Sequence, residues 1–223
     1  MTPLPRALDE RRLVVLDVDS TLITAEVIEL LAEHAGSREQ VADITERAMR
    51  GELDFAASLH ARVATLVGLP VSVFADVLAE VTLTPGAPEL LAALAARGWP
   101  VALVSGGFLE VVGPLATRLG ITRYRANGLE VSDGVLTGRV RGPVVDRAGK
   151  AAALRLFAAD EEIPLERTIA IGDGANDLDM LADAGFGIAF NAKPVLAGQA
   201  DAVVRGRLDG VLALAPFRTT SGD

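Results

Sequence analysis

From Leu13 to Leu16 the chain is continuously aliphatic, and at Asp17 and Asp19 it turns acidic, reading LVVLDVDSTL over 13–22. A short apolar run without alternation predicts a strand buried on both faces, the kind that parallel sheets contain. The stretch that follows changes period. Over 25–35, Val27, Ile28, Leu31 and Ala35 share one helical face, and Ser37 with Gln40 reads as a capping box opening a second helix that ends at Gly51. Two more helical patterns, 54–67 and 71–81, are separated by Gly68 and Pro70. No strand interrupts them, although one crossover helix normally follows a strand. The segment 24–85 is therefore expected to be a helical insertion that leaves the sheet and returns at Thr84-Pro85-Gly86.

Beyond the insertion, helix and strand alternate. A helix is predicted over 87–97, a strand over 99–104 ending at Ser105-Gly106-Gly107, and a helix running to 119. Between 127 and 140, Asp133-Gly134 separates two β-like runs and signals a type I′ hairpin. Lys150 opens another helix, and strands follow at 167–171, ending at Gly172-Asp173-Gly174, at 185–190 and at 201–204. The polar tail after Phe217 is expected to fray. The fold class that results is α/β: a three-layer, Rossmann-like parallel sheet core made of 1–23 and 86–223, an inserted helical domain made of 24–85, and a small β-hairpin.

Composition narrows the function. Half of the 223 residues are hydrophobic, ample for a sizeable core. A net charge of −9 argues against nucleic acid or an anionic membrane as partner, since both need a basic face. Without cysteine there is no disulfide framework, thiol chemistry or cysteine-based zinc site. The start, MTPLPRALDERR, has acids and prolines where a signal peptide needs an apolar stretch, so a cytoplasmic address is expected.

Three strands end in polar residues of different kinds: Asp17 and Asp19, then Ser105, then Asp173 with Asn176 and Asp177. In a parallel sheet those ends share one edge, so the groups converge despite their separation in the chain. Asp17, Asp173 and Asp177 form an all-oxygen set suited to Mg²⁺, while Ser105 and the backbone around Gly106 and Gly107 suit phosphate oxygens. Asp17 and Asp19 also read as an ordinary Asx-turn and helix cap. Lys150 supplies a positive charge at a helix start, where the macrodipole mildly disfavours one. Gly149-Lys150 is not a P-loop, because Ala151 replaces the magnesium-holding Ser or Thr. His34 and His60 sit singly and read as structural or solvated, and Asn127-Gly128 reads as turn chemistry.

In order, DVDST, Ser105 of LVSGGF, Lys150 and GDGANDLDM resemble the four motifs of the haloacid dehalogenase superfamily of phosphohydrolases. Glu26 in AEVIELLAEHAG, MRGELDFAASLHARV and AKP (Ala192 to Pro194) add a resemblance to its phosphoserine phosphatase branch. Some bacterial members carry N-terminal regulatory domains, for which this chain is expected to have no room. The resemblance implies Mg²⁺-dependent hydrolysis of O-phospho-L-serine, the last step of serine biosynthesis. It makes Asp17 the nucleophile that becomes an aspartyl-phosphate and Asp19 the general acid and base. It implies Mg²⁺ held by Asp17, the Asp19 carbonyl and Asp173, with Asp177 close by. Ser105, Gly106, Lys150 and Asn176 would meet the phosphate. Glu26, Met49, Phe55 and Arg62 would bind the rest of the substrate, and the insertion would close over the site as a cap.

The residues themselves bear partly on that picture. Arg62 lies seven residues after Phe55 and three after Leu59, on the apolar stripe of its helix, where a guanidinium needs a carboxylate partner or must snorkel. Glu26 shares a face with Glu29 and Glu33, so only the resemblance makes it a ligand for a substrate ammonium. Two other readings stay open. One is action on another small phosphomonoester, for instance phosphoryl transfer to homoserine; the other is a receiver-like signalling module, which also clusters Asp, Ser or Thr and Lys on a parallel sheet. The expected partner is a small phosphomonoester, and the chain is expected to be a monomer or homodimer.

Overall fold

The computed structural model describes residues 11–218 apart from residues 51 and 193, and the side chain of Met49 also lies outside what is described. Among the described residues, seven strands form one sheet in the order β4-β3-β2-β1-β5-β6-β7. The central strand, β1 (Leu13–Asp17), is buried along its whole length, as an unbroken aliphatic run requires. It pairs in parallel with β2 (Val101–Phe108) on one side and β5 (Thr168–Gly172) on the other. The parallel order continues outward to β3 (Arg123–Ser132) and to β6 (Phe186–Phe190) and β7 (Ala202–Val204); β4 (Val135–Arg141) alone runs antiparallel, beside β3.

Helices cover both faces. Val14 and Leu16 join a core that includes four helices of the 24–85 stretch, α1 (Val27–Ala35), α2 (Arg38–Met49), α3 (Phe55–Ala64) and α4 (Val73–Glu80), together with α5 (Ala87–Ala96) and α6 (Leu109–Arg118). Leu13 and Val15 point the other way, into a core shared with α7 (Arg147–Asp160), α8 (Leu178–Asp183) and α9 (Pro194–Ala197). The expected three-layer α/β sandwich is thus the observed one.

The helical stretch is tied to the sheet in two places. At its base, residues 22–24 and 82–84 form a short antiparallel neck: the Thr24 amide donates to Thr82 at 3.0 Å and the Thr84 amide to Leu22 at 2.9 Å. At its far end, the α3–α4 connector pairs with the hairpin, Gly68 donating to Leu136 and Leu136 to Leu69, each at 2.8 Å. The hairpin turn is the expected one, with Asp133 and Gly134 both at positive φ (51° and 78°).

Several local expectations are corrected. Ser37 makes no cap bond, because its backbone (φ −112°, ψ 14°) is not extended; its buried hydroxyl donates to Thr65 at 3.1 Å instead. Glu26 is not within α1 with Glu29 and Glu33 but precedes the helix as its cap residue in extended conformation, and it lines the same cavity as Glu29. Strand β2 continues through Ser105-Gly106-Gly107 to Phe108, and β3 begins at Arg123, so the hairpin arm is also a full member of the sheet. Helix α7 starts at Arg147, capped by Asp146, whose carboxylate accepts from the Gly149 amide at 2.8 Å. Lys150 therefore lies at the end of the first turn, facing inward.

Candidate active site

Asp17 is the last residue of β1 and only 3 % exposed. The chain then reverses tightly, with Ser20 in the left-handed region (φ 58°) and the Ile23 amide reaching back to the Val18 carbonyl at 3.0 Å. This turn points Asp19 back over the sheet edge. Its Oδ1 accepts from the Val27 amide, in the first turn of α1, at 2.7 Å, and its Oδ2 accepts from the Ser105 hydroxyl at 2.7 Å. Burial pushes the Asp19 carboxyl up to about 6, and Glu26 adds to the rise, against the lowering effect of those two hydrogen bonds. The close approach of β2 requires glycine: a Cβ on Gly107 would lie 2.7 Å from Asp19 Oδ2.

Lys150 is fully buried and donates from Nζ to Asp17 Oδ1 at 2.5 Å and to Asp177 Oδ1 at 2.7 Å. Burial pulls the ammonium down, but Asp17 and Asp177 outweigh it and hold the charge. Asp177 is anchored from its other oxygen by the Gly174 amide at 3.1 Å and packs on the end of β5, where a Cβ on Gly172 would meet its carboxyl carbon at 2.4 Å. Thr21 donates to Asp17 Oδ2 at 3.3 Å. Burial, and then Asp177, raise the Asp17 carboxyl well above its usual range, despite Lys150.

That imbalance is the test of a metal site. Asp17, Asp173 and Asp177 each offer an oxygen within 4.8 Å of the others, and Lys150 pairs with Asp17 and Asp177. An all-oxygen cluster of this size suits a hard divalent cation.

Above the cluster lies a cavity of about 570 Å³. One wall is the sheet edge: Asp17, Asp19, Gly106, Gly107, Asp173 and Asn176. The other wall belongs to the insertion, where Glu26, Phe55 and Arg62 face inward. Phe55 sits close over β2, its Cζ 3.1 Å from where a Cβ on Gly106 would stand. Half-buried Arg62 donates from Nε to the Ser58 carbonyl at 3.3 Å and makes no ion pair among the described residues. Glu26 accepts from the Ser20 hydroxyl at 2.7 Å.

Nearly every residue singled out in the sequence thus meets at one place. Ser105 and Lys150, expected to touch phosphate, are fully buried behind the wall, engaged with Asp19 and Asp17. The side chain of Met49 and residue Lys193 of the AKP stretch lie outside the described residues. Arg147 lines the cavity, paired with Asp179 at 2.5 Å, and had no signal in the sequence. Asn127, read as turn chemistry, is fully buried in β3 beside the site. His34 pairs with Glu80 at 2.8 Å on the surface and His60 is exposed, so neither serves the site.

The model of the haloacid dehalogenase-like hydrolases matches residues 14–182, a span holding every side chain that lines the cavity. The chain belongs to this family. Among curated members, it is 61% identical over 186 residues to the phosphoserine phosphatase of Streptomyces coelicolor, a match covering 83% of this chain and 45% of that protein. The chain thus spans less than half the length of that relative. It is 55% identical over 188 residues to the phosphoserine phosphatase of Streptococcus thermophilus, covering 84% of this chain and 87% of that one. A solved substrate-bound phosphoserine phosphatase complex superposes with a TM-score of 0.85 at 42% identity, covering 91% of this chain and 97% of that chain. Among the described residues, no helix is long and apolar enough to cross a membrane.

Proposed function

We propose that this chain hydrolyses O-phospho-L-serine to L-serine and phosphate through an aspartyl-phosphate on Asp17. The observation that carries the reading is the two-walled cavity: paired carboxylates and glycine backbone on the sheet side, and on the insertion side a guanidinium near a carboxylate and without an ion-pair partner among the described residues. A phosphoserine molecule fits that division, its phosphate against the sheet edge, its α-carboxylate on Arg62 and its ammonium on Glu26. The phosphoserine phosphatases among its relatives support the same substrate.

Asp17 attacks phosphorus, and the bond from phosphorus to the serine oxygen breaks as protonated Asp19 gives its proton to that oxygen. Asp19, now a carboxylate, takes a proton from water as the water oxygen attacks phosphorus, releasing phosphate and the free Asp17 carboxylate. A carboxyl held near 6 can serve both steps around neutral pH. Lys150 holds Asp17 in place, and Ser105 holds Asp19. Mg²⁺ would be held by Asp17, Asp173 and the Asp19 carbonyl with Asp177 beside them, and would supply positive charge to the transferring oxygens. The segment 24–85 acts as a cap that excludes water while Phe55 covers Gly106.

Phosphate release from a panel of phosphomonoesters, with and without Mg²⁺, tests the reading. Phosphoserine should be preferred, and the metal required. A chain that turns over phosphothreonine, phosphoethanolamine or sugar phosphates equally well, or that passes the phosphoryl group to added homoserine in preference to water, refutes it.

A further inference from the structure

Strands β2 and β3 pair at Val104 with Arg125 and again at Phe108 with Asn127, so four steps along β2 match two along β3. The intervening Ser105, Gly106 and Gly107 bulge from the ladder, and a bulge removes regular partners from the backbone groups it contains. Asn127 meets this need from inside the core. Its Nδ2 donates to the Gly106 carbonyl at 2.8 Å, and its Oδ1 accepts from the Val145 amide at 2.7 Å. The partners themselves fix which end is which, since a carbonyl only accepts and an amide N–H only donates.

Both contacts lead to the reacting groups. The peptide joining Gly106 to Gly107 is held at its carbonyl by Asn127 and at its amide by Ser105 Oγ, 2.7 Å away. The Ser105 hydroxyl in turn donates to Asp19 Oδ2 at 2.7 Å. In the other direction, Val145 directly precedes Asp146, the cap of the helix that carries Lys150. One buried side chain thus stands between the two elements that hold the proposed acid and the proposed nucleophile.

We infer that Asn127 is a positioning residue for phosphoryl transfer: through the Gly106–Gly107 peptide it sets the orientation of Ser105 and Asp19, and through Val145 it keeps that loop in register with the Lys150 helix. This rests on reading the site as a phosphatase. Among side chains of this size, a carboxamide alone carries a fixed donor and acceptor side by side, so neither Asp nor Leu can substitute. Chains of hydrogen bonds also polarise one another, so losing the first link weakens the last.

Asn127→Asp keeps the size and the acceptor for Val145 but turns the donor into an oxygen facing a carbonyl; Asn127→Ala removes both contacts. Measured well below each variant's melting temperature, kcat should fall by roughly 10- to 100-fold, since a misplacement of about 1 Å at a reacting centre costs on the order of a hundredfold. The fall should be equal for phosphoserine and p-nitrophenyl phosphate, with KM within about threefold for both, because the defect lies where every ester reacts. A folded variant with wild-type kcat and only a lower melting temperature, or a loss confined to the KM for phosphoserine, overturns the inference. Should neither variant fold, the native protein decides: orthovanadate, bound in place of phosphate, should shift the NMR signals of the Asn127 side-chain amide, and signals that stay put refute the link. A native protein inert toward both esters would refute the phosphatase reading itself, whereas active native protein with unaffected variants refutes only the role of Asn127.

Discussion

The two walls of the cavity are built on opposite principles. On the sheet side Lys150 lies between Asp17 and Asp177, and Asp19 is gripped by the Val27 amide and the Ser105 hydroxyl. On the insertion side, Arg62 is half-buried without an ion pair among the described residues, and Glu26 accepts from a neutral hydroxyl. A buried charge without a partner is costly, so it gains most when a ligand brings the opposite charge. On the proposed reading, the saturated wall would be indifferent to which ester arrives, and the unsaturated wall would discriminate. Under the proposed function, chemistry and specificity would belong to different elements, which substitutions can separate.

The largest effect should come from Asp17→Asn, because an amide neither attacks phosphorus nor balances Lys150. Turnover of phosphoserine and of p-nitrophenyl phosphate should both drop by about 10⁴-fold or more, as for other removed nucleophiles. Mass spectrometry after rapid quenching should find a phosphoryl adduct on Asp17 in the native protein and none in the variant. An active variant would mean that the sheet wall is not where the covalent step occurs.

Next comes Lys150→Met, which leaves Asp17 and Asp177 facing each other in the core. Breaking a buried pair by removing one partner costs about 3–5 kcal/mol. At ~2–4 °C per kcal/mol for a chain of this size, the melting temperature should fall by roughly 6–20 °C, and activity toward both esters should be lost together. Differential scanning calorimetry and phosphate release check the two halves. An unchanged melting temperature would show that the carboxylates do not depend on the ammonium, and the saturated wall would lose its keystone.

The same contrast explains what could be read from the chain alone. The sheet wall was legible because its residues sit where buried aliphatic runs end, at Asp17, Ser105 and Asp173, and a parallel sheet leaves no choice about where such ends meet. Lys150 was legible only as a cation at a helix start; its burial between two acids is a tertiary fact. Glu26 was read as part of the helix because of its i, i+3, i+7 spacing to Glu29 and Glu33, whereas the helix begins one residue later. Ser37 looked like a cap, but a partner distant in the chain, Thr65, claimed its hydroxyl. Asn127 was taken for a turn residue because Asn-Gly usually is one; a strand bulge elsewhere in the chain, invisible to local pattern, gives it its partners.

Arg62→Ala tests the discriminating wall. A hydrogen bond to a charged group contributes about 1.5–3 kcal/mol, and 1.4 kcal/mol is about tenfold, so kcat/KM for phosphoserine should fall ten- to a few hundredfold. For p-nitrophenyl phosphate, with neither carboxylate nor ammonium, it should change by less than about threefold. Glu26→Gln should follow the same pattern, with the loss greatest for esters that carry the amine. Equal losses on both substrates would place Arg62 or Glu26 in closure or folding and dissolve the division between the walls.

The smallest expected effect sharpens the comparison most, because it perturbs the discriminating wall without touching any group that meets substrate. Asp54 caps α3, the helix that carries both Phe55 and Arg62, by accepting from the Ala57 amide at 2.7 Å. Replacing such a cap by Ala costs about 0.5–2 kcal/mol, which for a chain of this size lowers the melting temperature by roughly 1–8 °C. If the insertion serves specificity alone, fraying the first turn of α3 should loosen Phe55 and Arg62. In Asp54→Ala, kcat/KM for phosphoserine should then drop by about two- to fivefold, while p-nitrophenyl phosphate turnover stays level. If p-nitrophenyl phosphate turnover fell in step, α3 would be needed to exclude water during the chemical step as well, and the insertion would contribute to rate as well as to choice.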